Sequence, residues 1–123
     1  ECIAIHRELG PGLFENVYET VLAGRLEARG LKVARQVKVP LEFDGHRFDA
    51  AFRIDLLVEE RLILEIKATE LLSKAHGKQL LTYLRLFKQP VGLLLNFSQA
   101  TMKDGIRRVV NDYKYELTLC ASA

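Results

Sequence analysis

Apolar residues along this chain follow two rhythms, and the changes between them mark the predicted elements. Cys2 to Leu9 is helix-compatible and is interrupted by Gly10-Pro11-Gly12, a strong breaker. From Leu13 to Arg29, the residues Phe14, Val17, Tyr18, Val21, Leu22 and Leu26 recur at three- and four-residue spacing. That spacing predicts a long amphipathic helix, with Gly30 where a C-terminal cap belongs. The period then drops to two. Val33, Val37, Val39 and Leu41 predict a strand over 31–43, Asp44-Gly45 a tight hairpin, and 46–58 a longer returning strand, bent or bulged near Asp49-Ala50-Ala51. Arg61 to Lys67 is the third strand, with Glu59-Glu60 at the preceding tip, so the three strands form an antiparallel meander.

Ser73 is placed to cap a helix that runs to about Phe87, with Leu80, Leu81, Leu84 and Phe87 as its apolar stripe. Gln89-Pro90 stops it, and Val91 to Phe97 is a continuous run of the kind found in a strand covered on both faces. The third strand, this helix and this strand predict a right-handed crossover. Met102 to Asn111 fits either a short helix or an edge strand, and a weakly ordered tail is expected past Asp112. The fold class is therefore α/β: a three-stranded antiparallel meander plus a parallel crossover strand, flanked by helices.

Composition narrows the picture only a little. A length of 123 residues fits a single domain over 1–123, and 49% hydrophobic residues suffice for one core. The 18 Lys and Arg against 16 Asp and Glu give a net charge of +2, too small to signal nucleic-acid binding, so any basic surface must be local. Two loose groups exist: Arg25, Arg29, Lys32, Arg35 and Lys38, then Lys103, Arg107, Arg108 and Lys114. Either can track phosphates or simply solvate a surface. Cys2 and Cys120 lie near opposite ends, without zinc spacing or disulfide density, as expected for free thiols in a reducing cytosol. No stretch is long and apolar enough to span a bilayer and no signal pattern opens the chain, so a soluble, cytoplasmic protein is expected. The first residue is Glu1 rather than Met, so further native residues are expected before it. With no zinc finger, helix-turn-helix or Gly-rich phosphate loop in view, sequence-specific DNA reading has no support.

The candidate chemistry sits near the ends of two neighbouring strands. Alternation puts Glu65 and Lys67 on one face while Leu62, Leu64 and Ile66 take the other. In the preceding strand it puts Asp55 with Arg53 opposite Ile54, Leu56 and Val58. Asp55 and Glu65 share a face only if cross-strand partners have residue numbers with an even sum. That register demands a three-residue connection or a bulge at the Glu59-Glu60 tip, because a two-residue loop separates the acids. Asp55 and Glu65, helped by the Ile66 carbonyl, then offer hard oxygen ligands for Mg2+, with Mn2+ as an alternative. Lys67 beside them can activate a water or offset developing charge, which is the minimum kit for metal-assisted phosphodiester hydrolysis. The competing explanation is a set of solvated charges on the open face of a sheet.

Gly12-Leu13-Phe14-Glu15-Asn16-Val17-Tyr18 fits the pattern that names the GxxExxY protein family. The segments 6–12, 53–58, 64–68, 76–84 and 92–97 resemble that family's in its usual order, over about nine-tenths of the chain. The family is in turn similar to the PD-(D/E)XK nuclease superfamily, with its restriction-endonuclease-like core. The resemblance implies that Asp55 and Glu65 are metal-binding acids, that Lys67 is the catalytic lysine and that Glu15 is the acid donated by the first long helix. Glu15 would complete the metal site or hold a metal-bound water. It further implies that Gln79 and Tyr83 form the Q-x-x-x-Y element of the RecB-like branch, supporting the substrate. His76, three residues before Gln79, is placed to share their cleft, although both helix residues are also ordinary packing choices. Tyr18 is expected to pack its helix onto the sheet, and Gly10-Pro11-Gly12 to aim that helix so that Glu15 reaches the site. Ile54 departs from the Pro of the superfamily's name. The implied activity is nucleic-acid hydrolysis, DNA before RNA. The alternative is a non-catalytic nucleic-acid-binding or assembly module on the same scaffold, as a homo-oligomer or within a larger complex.

Overall fold

The computed structural model describes residues 1–111, so the tail past Asp112, with Lys114 and Cys120, lies outside the described residues. Its helices are α1 (Cys2–Leu9), α2 (Glu15–Ala28), α3 (Lys74–Phe87) and the single turn α4 (Met102–Gly105). Its strands are β1 (Val33–Phe43), β2 (His46–Val58), β3 (Leu62–Lys67), β4 (Val91–Asn96) and β5 (Ile106–Val110). They form one sheet in the order β1-β2-β3-β4-β5, in which only β3 and β4 are parallel. The expected architecture is present, and Met102 to Asn111 resolves into both of its options, a turn of helix followed by an edge strand.

Local chemistry explains the boundaries. Gly30, at φ +86°, closes α2: its N–H bonds the Glu27 carbonyl while the Leu31 N–H reaches the Leu26 carbonyl, the paired bonds of a Schellman cap. Ser73 starts α3 in a reciprocal capping box with His76. Asp44-Gly45, both at positive φ, turns β1 into β2 with Phe43 opposite His46. The register of that pair shifts between Val39 and Leu41, where Asp49-Ala50-Ala51 bulges as the sequence leads one to expect.

The helices cover the sheet from both sides. Tyr18, Leu22 and Ala23 of α2, with Ile5 and Met102, pack on Leu56, Val58, Leu64, Ile66 and Leu95. On the other face, Leu80 and Leu84 of α3 pack on Val39, Phe52, Ile54, Leu57, Ile63 and Leu94. Ile54 thus lies on the α3 side, apart from Leu56 and Val58, and corrects the strict alternation expected for β2. The cause is local: β1 and β2 leave no Gln36–Asp55 pair in their register, Gln36 takes φ +50°, and the ribbon turns over between Leu56 and Ile54.

One close approach fixes the start of β5 against the end of β4. A Cβ built on Gly105 would lie 2.2 Å from the Asn96 carbonyl oxygen, whereas one on Gly24, within α2, meets nothing within 4 Å. Gly105→Ala is therefore expected to lower stability by about 3 kcal/mol, the upper end for overpacking against rigid atoms. Gly24→Ala is expected to raise it by about 0.5–1 kcal/mol. Urea midpoints of the two variants check both signs; a neutral Gly105→Ala would contradict the packing.

Candidate active site

The β2–β3 connection is the three-residue Glu59-Glu60-Arg61, with Glu59 and Glu60 at φ +54° and +58° and the Arg61 N–H bonded to the Val58 carbonyl at 3.0 Å. The strands pair as Val58↔Leu62, Leu57↔Ile63 and Leu56↔Leu64, so Asp55 stands opposite Glu65. Backbone pairing ends there and the strands fork. In the fork, Asp55 Oδ2 accepts the Ile66 N–H at 2.9 Å and Glu65 Oε1 accepts the Asp55 N–H at 3.3 Å. Each carboxylate takes the place of a missing ladder acceptor, which satisfies an amide and holds the two acids side by side.

This pairing is electrostatically tense. Glu65 is only 4% exposed. Burial above all, and the neighbouring Asp55 charge after it, push its carboxyl up to about 8, while Lys67 pulls the other way. Tyr83 of α3 is raised by its own burial and by the charges of Glu65 and Asp55, which places its hydroxyl within their field. Its ring stacks on Phe52 with centroids 4.2 Å apart. Lys67 is half-buried at the end of β3.

Glu15 stands a step away from this pair. Its Oε1 accepts the Ala68 N–H at 3.3 Å, one residue beyond Lys67. Among the described residues no three acidic, His or Cys side chains are grouped to hold a metal ion. The three-carboxylate cluster expected from Glu15, Asp55 and Glu65 is thus replaced by a pair with Glu15 beside it, because the first turn of α2 comes level with Ala68 rather than with the fork. The donors still suit a hard cation. Mg2+ is commonly held by one or two carboxylates, with waters and substrate oxygens completing the octahedron, and a cation relieves the like-charge contact that raises Glu65.

The sequence model of the PD-(D/E)XK nuclease superfamily matches residues 1–109. The chain belongs to that superfamily. Its members typically use divalent metal ions, and membership suggests a metal-dependent nuclease. No curated protein matches the sequence. The crystal structure of SSO0001 shares the fold, with a TM-score of 0.62 at 19% identity over 87% of this chain. This chain spans 56% of the length of that one.

The two α3 residues expected from the resemblance differ in their surroundings. Tyr83 reaches the field of the acids, whereas the Gln79 side chain, one turn earlier on α3, is exposed and makes no hydrogen bond among the described residues. His76 takes part in the cap of α3, where its Nδ1 accepts the Ser73 N–H at 3.1 Å. Tyr18 is fully buried, stacks on Phe97, donates to the Gly10 carbonyl at 2.6 Å and accepts the Leu13 N–H at 3.1 Å. One ring thus packs the helix and pins the glycine turn before it.

Three residues near the fork escaped the sequence reading. Glu19, 6% exposed on α2, accepts from Gln36 Nε2 at 2.9 Å, and the same amide reaches Asp55 Oδ1 at 3.3 Å. Gln36 therefore links a buried acid to Asp55 from a strained backbone position. Asn96, fully buried at the end of β4, clamps Thr69 through its N–H at 3.2 Å and its carbonyl at 2.8 Å, fixing the chain that leaves β3. Only Asn96 left a sequence signal, a polar residue closing the apolar run Leu93-Leu94-Leu95.

Proposed function

We propose that this protein is a metal-dependent nuclease of the GxxExxY group that hydrolyses phosphodiester bonds, with DNA ahead of RNA. The observation that carries this reading is the Asp55–Glu65 pair, held in the strand fork by Ile66 N–H and Asp55 N–H and facing Lys67. Asp55 and Glu65, with the Ile66 carbonyl, are the metal ligands, and Mg2+ or Mn2+ suits their oxygen chemistry. Bound there, the ion supplies Lewis-acid polarisation of the phosphate and a more acidic water. Lys67 orients that water or accepts its proton and offsets charge gathering on the phosphate. Glu15, at Ala68, holds a water at the rim, and Tyr83 and Gln79 face the substrate from α3. A cytoplasmic location fits this role; no helix among the described residues is long and apolar enough to cross a membrane.

Ion pairing separates the basic residues into occupied and available ones. Arg25 and Arg29 pair with Glu8 and Glu1, Lys32 pairs with Glu60 at 2.6 Å, and Arg35 lies 3.8 Å from Glu19. Lys38, Lys103, Arg107 and Arg108 are exposed and hold no ion pair among the described residues, so the phosphate contacts are assigned to this set. The two-carboxylate set keeps a second reading in play: a nucleic-acid-binding or assembly module that retains the scaffold, alone as a homo-oligomer or in a larger complex.

Titration calorimetry with Mg2+ and Mn2+, beside a cleavage assay on single-stranded, double-stranded and branched DNA, separates the two. The nuclease reading expects binding, and cleavage that stops on chelation. A parent protein that binds neither ion gives the scaffold reading instead.

A further inference from the structure

Phe14 violates the pattern that predicted its helix. It belongs to the apolar stripe by spacing, yet it is 82% exposed, more than any other large hydrophobic among the described residues. The ring is nevertheless carried on a fixed support. The Phe14 carbonyl accepts the Val17 N–H at 3.0 Å, and the preceding Leu13 N–H bonds to the hydroxyl of the fully buried Tyr18. An exposed aromatic on a pre-set backbone gives up little conformational freedom when something covers it.

Its position says what that something is. The next residue, Glu15, contacts the Ala68 amide, so the ring stands one residue from the rim of the acid–lysine site. A single groove of about 660 Å³ joins Gly12, Phe14, Glu15 and Asn16 to Ala68 and Ser98. A groove of that size accommodates one nucleotide-sized group. Asn16 and Ser98 add polar atoms suited to a base edge, while the apolar ring face suits a base plane.

We propose that Phe14 is a stacking platform for an unpaired nucleobase next to the scissile phosphate, which makes single-stranded or frayed nucleic acid the substrate class. This inference rests on the nuclease reading of the adjoining site. Stacking on an aromatic ring is tolerant of sequence, because every base offers a π-face. In a duplex the base is already stacked and must be drawn out at a cost, so the platform discriminates by strand state rather than by sequence.

Binding of a labelled single-stranded oligonucleotide and of the matching blunt duplex is measured by anisotropy, with and without Ca2+, for the parent, Phe14→Ala and Phe14→Trp. Phe14→Ala is expected to weaken single-strand binding about tenfold, with duplex binding, metal affinity and thermal midpoint unchanged, since the ring supports no core. Phe14→Trp is expected to restore binding, and a 2-aminopurine base to be quenched by the parent and not by Phe14→Ala. Equal single-strand binding by parent and Phe14→Ala overturns the platform, as does equal loss on strand and duplex. If the parent cleaves DNA and Phe14→Ala cleaves it equally well on single strands, the platform falls and the nuclease reading stands. If the parent binds strands through Phe14 but never cleaves, the hydrolase reading falls and the platform stands. A parent that binds neither strand nor duplex removes both.

Discussion

Lys67→Ala is expected to reduce metal-dependent cleavage by about a hundred- to a thousandfold, the loss typical of removing one preorganised charge from a transition state. The ammonium is close enough to the acids to pull the Glu65 carboxyl downward against burial, so it lies near the place where phosphate charge develops. It is half-buried and makes no hydrogen bond that holds the fold among the described residues, so the variant should stay folded. Asp55→Ala is expected to lose at least as much, since it removes both a proposed metal ligand and the acceptor of the Ile66 N–H. Lys67→Arg separates the two roles proposed for the lysine: it keeps the charge but gives up no proton near neutral pH. Activity retained in Lys67→Arg points to electrostatic help, and activity lost points to proton transfer. Single-turnover rates at saturating Mg2+ give the comparison, and full cleavage by both alanine variants would remove these residues from the chemistry.

Glu65→Gln is expected to make the metal-free protein more stable at pH 8 by about 3–5 kcal/mol, while abolishing cleavage. The Glu65 carboxyl is raised from 4.5 to about 8 in the folded protein by burial and by Asp55. Between those values the folded state holds a proton that the unfolded chain has released. The parent's stability is therefore full below about pH 4.5 and declines as pH rises towards 8. Gln is neutral throughout and still presents an oxygen to the Asp55 N–H, so its profile should be flat across that window. Saturating Mg2+ should restore the parent at pH 8 by about 2–4 kcal/mol and leave Glu65→Gln unchanged. Urea denaturation at pH 5 and pH 8, with and without the ion, reads all four values. A parent with no decline would show that Glu65 ionises as an ordinary surface acid.

Much of this architecture was legible because it is local. The three-four rhythm of α2, the Ser73 cap, the Asp44-Gly45 turn and the bulge at Asp49-Ala50-Ala51 are decisions made by a few adjacent residues, and each appears where the pattern places it. The even register of Asp55 and Glu65 was also accessible, since alternation plus loop length is arithmetic on the sequence.

What the sequence hid depends on where distant segments meet. Ile54 changes faces because β1 and β2 turn over at Gln36, a residue with nothing to advertise a left-handed φ. Glu19 looks like one more polar residue on an amphipathic helix until Gln36 and Arg35 close over it. Phe14 satisfies helical spacing but lies in the extended residue that precedes the first turn, where no sheet lies beneath it. His76 shares a helix side with Gln79 in principle, yet its ring is drawn back to the amide of Ser73.

The fork also divides the site mechanically. β3 runs in register with β4 as far as Lys67↔Asn96, and the Asn96 clamp on Thr69 extends that hold beyond the strand. β2 holds β3 through three pairs only and then parts from it at Asp55. Glu65 and Lys67 therefore sit on a strand whose pairing with β4 continues past them, and Asp55 meets that strand through side-chain hydrogen bonds. The gap between the acids is thus set by side-chain hydrogen bonds rather than by ladder bonds, and Gln36 ties Asp55 in turn to Glu19 on α2.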